Sequence, residues 1–226
     1  MEKDLLDYLF QLISSDRQDL FLNLIEKRTK KIAIVLEDIY QSHNAAAVLR
    51  SCDCFGVQDV HIIENRNQFR PHPDIEQGSS KWLTIARYGQ KEENTLECFM
   101  HLKSQGYAIA ATTPHTELTI DELPTDKPLA LVLGTEMRGI SEIASANADH
   151  LVRIPMYGFT ESFNISVAAA ISLHSLRSKF LRDSRDLSMT EAEKQAVLLG
   201  WCRNTIKRGD KVIEEFYNRK KDDPNG

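Results

Sequence analysis

The sequence is poor in the features that mark secreted, membrane and metal-binding proteins. Its 226 residues include four cysteines, and no two of them have CxxC spacing. This pattern predicts reduced thiols in a cytoplasmic protein and no metal site. No stretch approaches the roughly 20 apolar residues that span a bilayer, so no membrane partner is expected. The first ten residues, MEKDLLDYLF, are acidic and amphipathic, unlike a signal or transit peptide.

The fingerprints of dinucleotide-binding and Walker-type proteins are also missing, which disfavours a metabolic enzyme with such a nucleotide ligand. The net charge of −5 argues weakly against a nucleic-acid partner. However, residues 177–221 hold twelve Lys or Arg and seven Asp or Glu, an excess of five positive charges. This segment fits either a solvated helical face or a basic arm that contacts phosphates.

Short apolar segments alternate with helical patterns along the chain. Buried strands are predicted for five apolar runs: 31–38, 59–63, 107–112, 129–133 and 150–154. Helices are predicted over 3–26 (with a break at 14–16), 43–55, 91–105, 163–182 and 190–220 (interrupted near Gly209). Residues 65–80 are polar with two prolines and predict a long loop. Apolar strands alternating with helices indicate an α/β fold whose parallel sheet is covered on both faces.

The loop after the first predicted strand contains the segment HNAAAVLRSCDCFG, residues 43–56. Asn44 is placed where it would cap the following helix. Arg50 follows six residues later, in an alanine-rich helix that is expected to be mostly buried, and would need an anionic partner. Taken alone, these residues fit either a functional pair or a simple cap with an ion pair.

Two further loops have unusual polar content. LALVLGTEMRGIS, residues 129–141, runs from a buried strand into Gly134, Glu136 and Gly139, and glycine allows a backbone to approach a ligand closely. IPMYGFTESFNISVAAAISLH, residues 154–174, offers four polar residues where a helix should begin: Glu161, Ser162, Asn164 and Ser166. One residue suffices for a cap, and ligands of parallel sheets bind beyond the carboxyl ends of the strands. The extra polar groups therefore indicate a ligand site, with a well-capped core helix as the alternative.

Together, in order and spacing, the three loops resemble the signature motifs of the SpoU/TrmH branch of the SPOUT methyltransferases. The likeness covers roughly residues 31–178, and the third motif departs from the family pattern at Phe163 and Ile165. The resemblance implies a parallel α/β fold with a deep trefoil knot in its C-terminal part. It also implies a methyltransferase domain at 31–182, an N-terminal helical extension at 1–30 and a C-terminal, partly basic helical extension at 183–226.

The resemblance implies methylation of a ribose 2′-hydroxyl in RNA with S-adenosylmethionine as the cofactor. The residues that match the family's catalytic positions are Arg50, Asn44, Glu136, Ser162 and Asn164. The residues that match its cofactor positions are Thr112, Leu133, Gly134, Ile154, Met156 and Phe163. In the family the third motif is threaded through the knot and wraps the cofactor, so its polar start is expected to face a ligand.

The reaction implied is a displacement at a sulfonium, which requires in-line positioning and loss of the hydroxyl proton. The family proposal makes the residue matching Arg50 the base, although a guanidinium hardly deprotonates. In a milder version, Arg50 holds the neighbouring phosphate and stabilises negative charge on the ribose oxygen. The sequence leaves both open. Family members pair through this region, so a homodimer with a mixed-subunit active site is expected.

The expected substrate is tRNA, at the D-loop guanosine of position 18. Only 30 residues precede the first predicted strand, which leaves no room for the separate RNA-binding domain that ribosomal-RNA members often carry. Two alternatives remain: 2′-O-methylation of ribosomal RNA, and a non-catalytic RNA-binding dimer of the same fold. The second is disfavoured because the polar residues of all three motifs are intact.

Overall fold

The computed structural model describes residues 2–67 and 78–222, which belong to two compact units. The larger is Thr29–Leu187, and the smaller combines Met1–Arg28 with Ser188–Gly226. The helices are α1 (Glu2–Phe10), α2 (Ser15–Ile25), α3 (Ser42–Cys54), α4 (Asn94–Ser104), α5 (Glu142–Asn147), α6 (Ile165–Arg182), α7 (Glu191–Thr205) and α8 (Gly209–Asp222). The strands are β1 (Ile32–Glu37), β2 (Asp59–Ile63), β3 (Thr84–Tyr88), β4 (Ala108–Thr112), β5 (Leu129–Leu133) and β6 (His150–Val152).

The larger unit is built on a six-stranded sheet in the order β3-β2-β1-β5-β4-β6, in which every pairing is parallel. Successive side chains of a strand point to opposite faces. Along β1, Ile32, Ile34 and Leu36 belong to one apolar core, and Ala33 and Val35 belong to another. Because β1 is buried on both faces, its sequence reads as an unbroken apolar run. The predicted α/β architecture with a parallel sheet is confirmed.

Helices α3 and α6 pack against each other on one face of the sheet. Ala45 of α3 and Ala169 of α6 are both fully buried. The small residues of the two helices allow their backbones to approach closely. This packing places the first turn of α3 and the first turn of α6 at the same side of the larger unit, where the residues of the first and third motifs lie.

The smaller unit brings the two ends of the chain together. Helices α1 and α2 pack against α7, and the rings of Phe21 and Trp201 meet edge to face with centroids 5.3 Å apart. At the surface, Lys194 of α7 pairs with Glu26 at 2.8 Å. No helix of the described residues is both long and apolar enough to cross a membrane. The predicted domain boundaries at residues 31 and 182 stay predictions.

Two described elements were not predicted from the sequence. Strand β3 lies at the edge of the sheet and is partly exposed, so its sequence, TIARY, lacks the unbroken apolar run of a central strand. Helix α5 has six residues, too few for helical periodicity to emerge. The 3₁₀ turn Ser79–Trp82 begins at the end of the predicted loop over 65–80, and residues 68–77 of that loop are outside the described residues.

Candidate active site

The carboxyl ends of all six strands lie along one edge of the sheet, because the strands are parallel. The strand order changes direction between β1 and β5: β2 and β3 lie outside β1, and β4 and β6 lie outside β5. Crevices at such a switch point are the usual ligand sites of open parallel sheets. The segments that follow β1 and β5 therefore form the natural place for a site in this fold.

Asn44 lies in the first turn of α3, shortly after β1, and is 5% exposed. Its side-chain amide donates hydrogen bonds to Oε1 of Glu136 and to Oε1 of Gln41, each at 2.9 Å. The N-cap of α3 is Gln41, so the predicted capping role of Asn44 is wrong. Its amide is satisfied instead by a contact with the loop after β5, as buried polar groups require.

Glu136 is carried by a tight loop after β5. Thr135 and Gly139 exchange two backbone hydrogen bonds of 2.9 Å across this loop. Gly139 has a φ of 66°, in the left-handed region that glycine adopts readily. A Cβ atom at Gly134 would lie 2.2 Å from the Gly139 backbone, so the closed loop requires glycine at position 134. The loop thereby presents an exposed carboxylate beside Asn44.

Asn164 joins these two residues from the start of α6. It is the N-cap of α6, where its side-chain oxygen accepts a hydrogen bond from the Ser166 backbone N–H at 3.0 Å. Its amide donates to Oε1 of Glu136 and, at 3.3 Å, to Oδ1 of Asn44. Asn44, Glu136 and Asn164, one from each sequence motif, therefore form a single cluster, called here the Asn–Glu–Asn cluster.

The cluster leaves one carboxylate oxygen available. Oε1 of Glu136 accepts both amide bonds, whereas Oε2 accepts none from the described residues. An ionised carboxylate is purely an acceptor, so Oε2 can accept a hydrogen bond from a hydroxyl or N–H group of a ligand. The two asparagine amides fix the orientation of the carboxylate, which suits the cluster to orienting a ligand hydroxyl.

Arg50 is not part of this cluster. The six residues from Asn44 to Arg50 correspond to a rotation of about 600° around the α3 axis, so the two side chains point in different directions. Arg50 is exposed, and its guanidinium has no ion pair or hydrogen bond within the described parts of the chain. Helix α3 is largely buried, as expected, but Arg50 lies on its exposed face, and no anionic partner for it is found among the described residues. The guanidinium is available to an external anion.

Ser162 lies in an exposed segment, residues 157–164, that has no helix or strand. Neither Ser162 nor the adjacent Glu161 forms a side-chain hydrogen bond with any described residue. In the same segment, Tyr157 is 97% exposed and Phe159 is 107% exposed. Exposed aromatic rings beside a polar cluster are typical of a surface that binds a ligand or another chain.

The residues predicted to hold a cofactor lie at or beyond the ends of three neighbouring strands, β5, β4 and β6. Thr112 ends β4, and its hydroxyl donates to the Val132 carbonyl at 3.0 Å. Leu133 ends β5 and is buried, with Gly134 next in the chain. Beyond β6, the half-buried and partly exposed side chains are Ile154, Met156 and Phe163. Thr112, Leu133, Gly134 and Ile154 thus lie at the ends of three neighbouring strands, and Phe163 directly precedes Asn164 of the Asn–Glu–Asn cluster.

Sequence reasoning missed the carboxylate of Glu37, which ends β1 and is 2% exposed. Its Oε1 accepts from the hydroxyls of Thr95 and Ser141 at 2.7 Å each, and its Oε2 accepts from the Ser141 backbone N–H at 2.8 Å. Ser141 is the N-cap of α5 and follows the loop that carries Glu136. Glu37 therefore anchors that loop to β1. The available signal was an acidic residue at the end of an otherwise apolar strand, VLE.

Comparison with known proteins is consistent with this geometry. Residues 31–174 match the SpoU rRNA Methylase family. The tRNA (guanosine(18)-2'-O)-methyltransferase of Borreliella burgdorferi is 36% identical over 211 residues, covering 93% of this chain and 94% of that protein. The crystal structure of the A. aeolicus TrmH/SpoU tRNA modifying enzyme has a TM-score of 0.73 at 30% identity, over 85% of this chain and 98% of that one. The methyltransferase AviRb from Streptomyces viridochromogenes, in complex with AdoMet, shares the fold at a TM-score of 0.60 and 20% identity, over 71% and 65% of the two chains.

Proposed function

Because the chain belongs to the SpoU rRNA Methylase family, we propose that it transfers a methyl group from S-adenosylmethionine to a ribose 2′-hydroxyl of tRNA. The nucleoside is the guanosine at position 18 of the D-loop, as named for the Borreliella burgdorferi relative. The observation that carries the proposal is the Asn–Glu–Asn cluster at the switch point of the sheet. It joins the three motifs at one point and leaves an acceptor oxygen for the substrate.

The residues of this chain have two tasks in the reaction, to position the ribose hydroxyl and to stabilise the charge that develops on its oxygen. When bound, S-adenosylmethionine supplies an electrophilic methyl group, so no protein nucleophile is needed. Oε2 of Glu136 accepts a hydrogen bond from the hydroxyl, fixes the direction of its oxygen and takes up its proton as the methyl group is transferred. Asn44 and Asn164 hold the carboxylate through Oε1. Ser162, exposed beside them, offers a further hydroxyl to the ribose.

The ends of β4, β5 and β6 fit the cofactor. The side chains of Ile154, Met156 and Phe163 are suited to the flat adenine ring and the methionine chain, whereas Leu133 is buried in the core and would contribute its backbone at the end of β5. Gly134 follows β5 directly and closes the loop against the Gly139 backbone, so it fixes the end of the strand beside the cofactor. Thr112, the last residue of β4, lies at the same edge of the sheet. These residues would hold the cofactor next to the Asn–Glu–Asn cluster.

We propose that this part of the chain forms the deep trefoil knot of the family. Backbone hydrogen bonds of 2.9 Å tie the segment after β4 to the end of β6: Thr113 N–H to Val152 O, Arg153 N–H to Leu118 O, and Ile120 N–H to Arg153 O. Helix α6 also packs against the 3₁₀ turn Ile120–Glu122. These contacts support a path in which the chain beyond β6 passes through the loop of residues 113–128.

We also propose a homodimer in which Arg50 of one protomer completes the active site of the other. Within one protomer, Arg50 is exposed and has no bond to the cluster. The exposed Tyr157 and Phe159 offer a surface for the second copy. Because a guanidinium keeps its proton, we assign Arg50 to holding the substrate phosphate and stabilising the ribose oxygen rather than to the role of base.

The connection between α7 and α8 supports tRNA binding. Lys207, Arg208 and Lys211 are exposed there, and none of them is engaged in an ion pair with the described residues. Other basic residues of the same segment are already paired, such as Arg203 with Asp210. Lys207, Arg208 and Lys211 are thus among the basic residues of the segment that can contact phosphates. The proposal places the reaction in the cytoplasm, which agrees with four free thiols.

The decisive experiment is transfer of tritium from labelled S-adenosylmethionine to unmodified tRNA transcripts and to ribosomal RNA. We expect incorporation into tRNA, and no incorporation when position 18 already carries a 2′-O-methyl group. Transfer to ribosomal RNA and not to tRNA would identify ribosomal RNA as the substrate. Tight RNA binding without transfer to either RNA would identify a non-catalytic dimer and refute the proposed activity.

A further inference from the structure

A cleft of about 880 Å³ lies beside the Asn–Glu–Asn cluster, and both Asn44 and Glu136 line it. Its walls are formed by the end of β1, by segments that follow β1, β2, β3 and β5, and by Ile165 at the start of α6. None of the six residues assigned to the cofactor, all of which the structure describes, is part of these walls. The cluster therefore stands between two regions of the same sheet edge. One is formed by the residues assigned to the cofactor, and the other is the cleft, which extends from the loop after β5 across the ends of β1, β2 and β3.

This division matches the needs of a methyl transfer between two large molecules. The donor and the acceptor must approach the reacting oxygen from different sides, since the displacement is in line. If the cofactor occupies the region of β5, β4 and β6, and Glu136 holds the ribose, the base on that ribose must enter the remaining space. The cleft is that space, and its volume lies within the roughly 300–1,000 Å³ that is usual for ligand pockets.

Several side chains of the cleft wall have no ion pair, hydrogen bond or ring contact with the rest of the described chain. They comprise three carboxylates, two guanidinium groups and one phenol ring: Glu92, Glu93, Glu142, Arg66, Arg138 and Tyr40. Besides Glu136, two further carboxylates of the wall, Glu37 and Asp38, accept hydrogen bonds from protein donors. The cleft wall thus contains two kinds of carboxylate: those bonded to other parts of the protein, and those available to a ligand.

We propose that this cleft receives the base of the target nucleoside and that its available carboxylates select guanine. The inference rests on the proposed function and specifies the substrate side of the same site. The Watson–Crick edge of guanine presents two N–H donors, N1–H and the 2-amino group, whereas adenine has an acceptor at N1. Since carboxylates only accept, Glu92, Glu93 and Glu142 favour guanine.

The remaining available side chains fit the same ligand. Tyr40 is 80% exposed, and such a ring is suited to stack on a base that has left its own stack. Arg66 and Arg138 carry positive charge at the edge of the cleft, where the phosphates next to the target nucleoside would pass. An aromatic platform, acceptors and cations are together the set of groups that single-stranded RNA requires.

The first test compares wild-type protein on tRNA transcripts with guanosine, inosine or adenosine at the target position. Inosine differs from guanosine only by the loss of the 2-amino group. We expect kcat/KM to be about tenfold lower for inosine and lower again for adenosine, as is typical when one base contact is lost. Equal kcat/KM for guanosine and inosine would show that the carboxylates do not recognise the 2-amino group, and would overturn the proposed selection of guanine.

The second test locates the base in the cleft. In a triple variant, Glu92→Ala, Glu93→Ala and Glu142→Ala, both bases lose the acceptor for N1–H, and guanosine also loses the acceptor for its 2-amino group. We therefore expect kcat/KM to fall for both and about tenfold further for guanosine, so that the preference for guanosine over inosine disappears. Tyr40→Ala should lower kcat/KM for all three bases by about tenfold, and Tyr40→Phe should restore it. The control is Asp126→Ala, which removes an exposed and unpaired carboxylate outside the cleft. It should leave kcat/KM unchanged for all three bases.

Two controls separate this inference from the proposed function. Calorimetry with S-adenosylhomocysteine shows whether each variant is folded, and transfer to guanosine-18 tRNA by wild type tests the activity itself. An active wild type together with a triple variant that keeps its full preference for guanosine refutes the inference and leaves the activity standing. If the triple variant fails to fold, the single variants Glu92→Ala, Glu93→Ala and Glu142→Ala replace it, and a preference unchanged in all three refutes the inference equally.

Discussion

The side-chain nitrogen of Asn44 lies 2.9 Å from Oε1 of Glu136, although 92 residues separate the two along the chain. Asn44 follows β1 and Glu136 follows β5, and these two strands are neighbours in the sheet. The bond therefore crosses the switch point of the fold. Together with the bond from Asn164, it commits one oxygen of the carboxylate to protein donors and leaves the other to the substrate.

Replacing Glu136 with glutamine should reverse the hydrogen-bonding character of the substrate position. The amides of Asn44 and Asn164 both donate, so the new side chain must turn its oxygen toward them. Its NH₂ group then takes the place of Oε2 and donates where an acceptor is needed. We expect single-turnover methyl transfer to fall on the order of 10²–10³, with cofactor affinity little changed. Asp126→Asn is the control, and a wild-type rate in Glu136→Gln would exclude this role.

The central strands could be predicted because burial on both faces makes them continuous apolar runs. LALVL at 129–133 is fully buried along its whole length, and its sequence alone identifies β5. The edge strand β3 lacks such a run and was missed. Strand order is also not encoded locally. That β5 pairs with β1 rather than with β6 depends on the whole sheet, and so does the contact of Asn44 with Glu136.

The direction of individual side chains was the least predictable feature of the site. Asn44 suits a helix cap by residue type, yet Gln41 occupies the cap position. The alanine-rich sequence around Arg50 suggests burial, but rotation around α3 turns this side chain outward. Glu37 looks like the polar end of a strand, and its bonds to Thr95 and Ser141 depend on segments far along the chain.

Gly134→Ala should disrupt the loop that carries Glu136. The added Cβ would lie 2.2 Å from the Gly139 backbone, and backbone atoms cannot move aside as a flexible side chain can. We expect the free energy of unfolding to fall by about 1–3 kcal/mol and methyl transfer to be lost. Gly158→Ala is the matched control, because a Cβ there meets nothing within 4 Å. Equal stability and activity in both variants would contradict the argument.

Acid should destabilise the larger unit through His61, which lies on β2 and is 5% exposed. Burial, followed by the charges of His101 and Lys30, lowers the pKa of His61 from 6.5 to about 4. Between these values the unfolded chain binds a proton that the folded chain does not. The free energy of unfolding therefore falls as pH drops from about 6.5 to about 4, by up to about 3 kcal/mol for this group.

Urea unfolding at pH 7 and pH 5 measures the contribution of His61. His61→Asn retains a polar partner for the Tyr88 hydroxyl, which lies 3.1 Å from the imidazole, and removes the titrating group. From pH 7 to pH 5, we expect the free energy of unfolding to fall by about 2 kcal/mol less in the variant than in wild type. Val60→Ala replaces a buried neighbouring residue without changing any titrating group. Between pH 7 and pH 5, its free energy of unfolding should fall by as much as that of wild type. An identical loss in His61→Asn would assign the acid effect to other groups.

Arg50→Ala should separate catalysis from stability. Because Arg50 is exposed and has no side-chain partner in the described structure, the melting temperature should hardly change. Single-turnover methyl transfer should fall on the order of 10²–10³, with cofactor affinity near that of wild type. Arg50→Lys should restore little, since a point charge does not reproduce the planar guanidinium. A wild-type single-turnover rate in Arg50→Ala would refute the catalytic role.

Mixing two inactive variants tests whether Arg50 acts across a dimer. If Arg50 of one protomer serves the Glu136 of the other, a heterodimer of Arg50→Ala and Glu136→Gln chains contains one site with both residues intact and one site with neither. Random exchange of subunits in a symmetric dimer should then recover about a quarter of the wild-type activity. If both residues act within the same protomer, every site in the mixture lacks one of them, and no activity returns.

Each variant alone is the control for residual activity, and sedimentation shows whether dimers form at the assay concentration. A stable monomer with wild-type activity would exclude the shared site, as would the absence of recovery in mixtures whose subunits are shown to exchange.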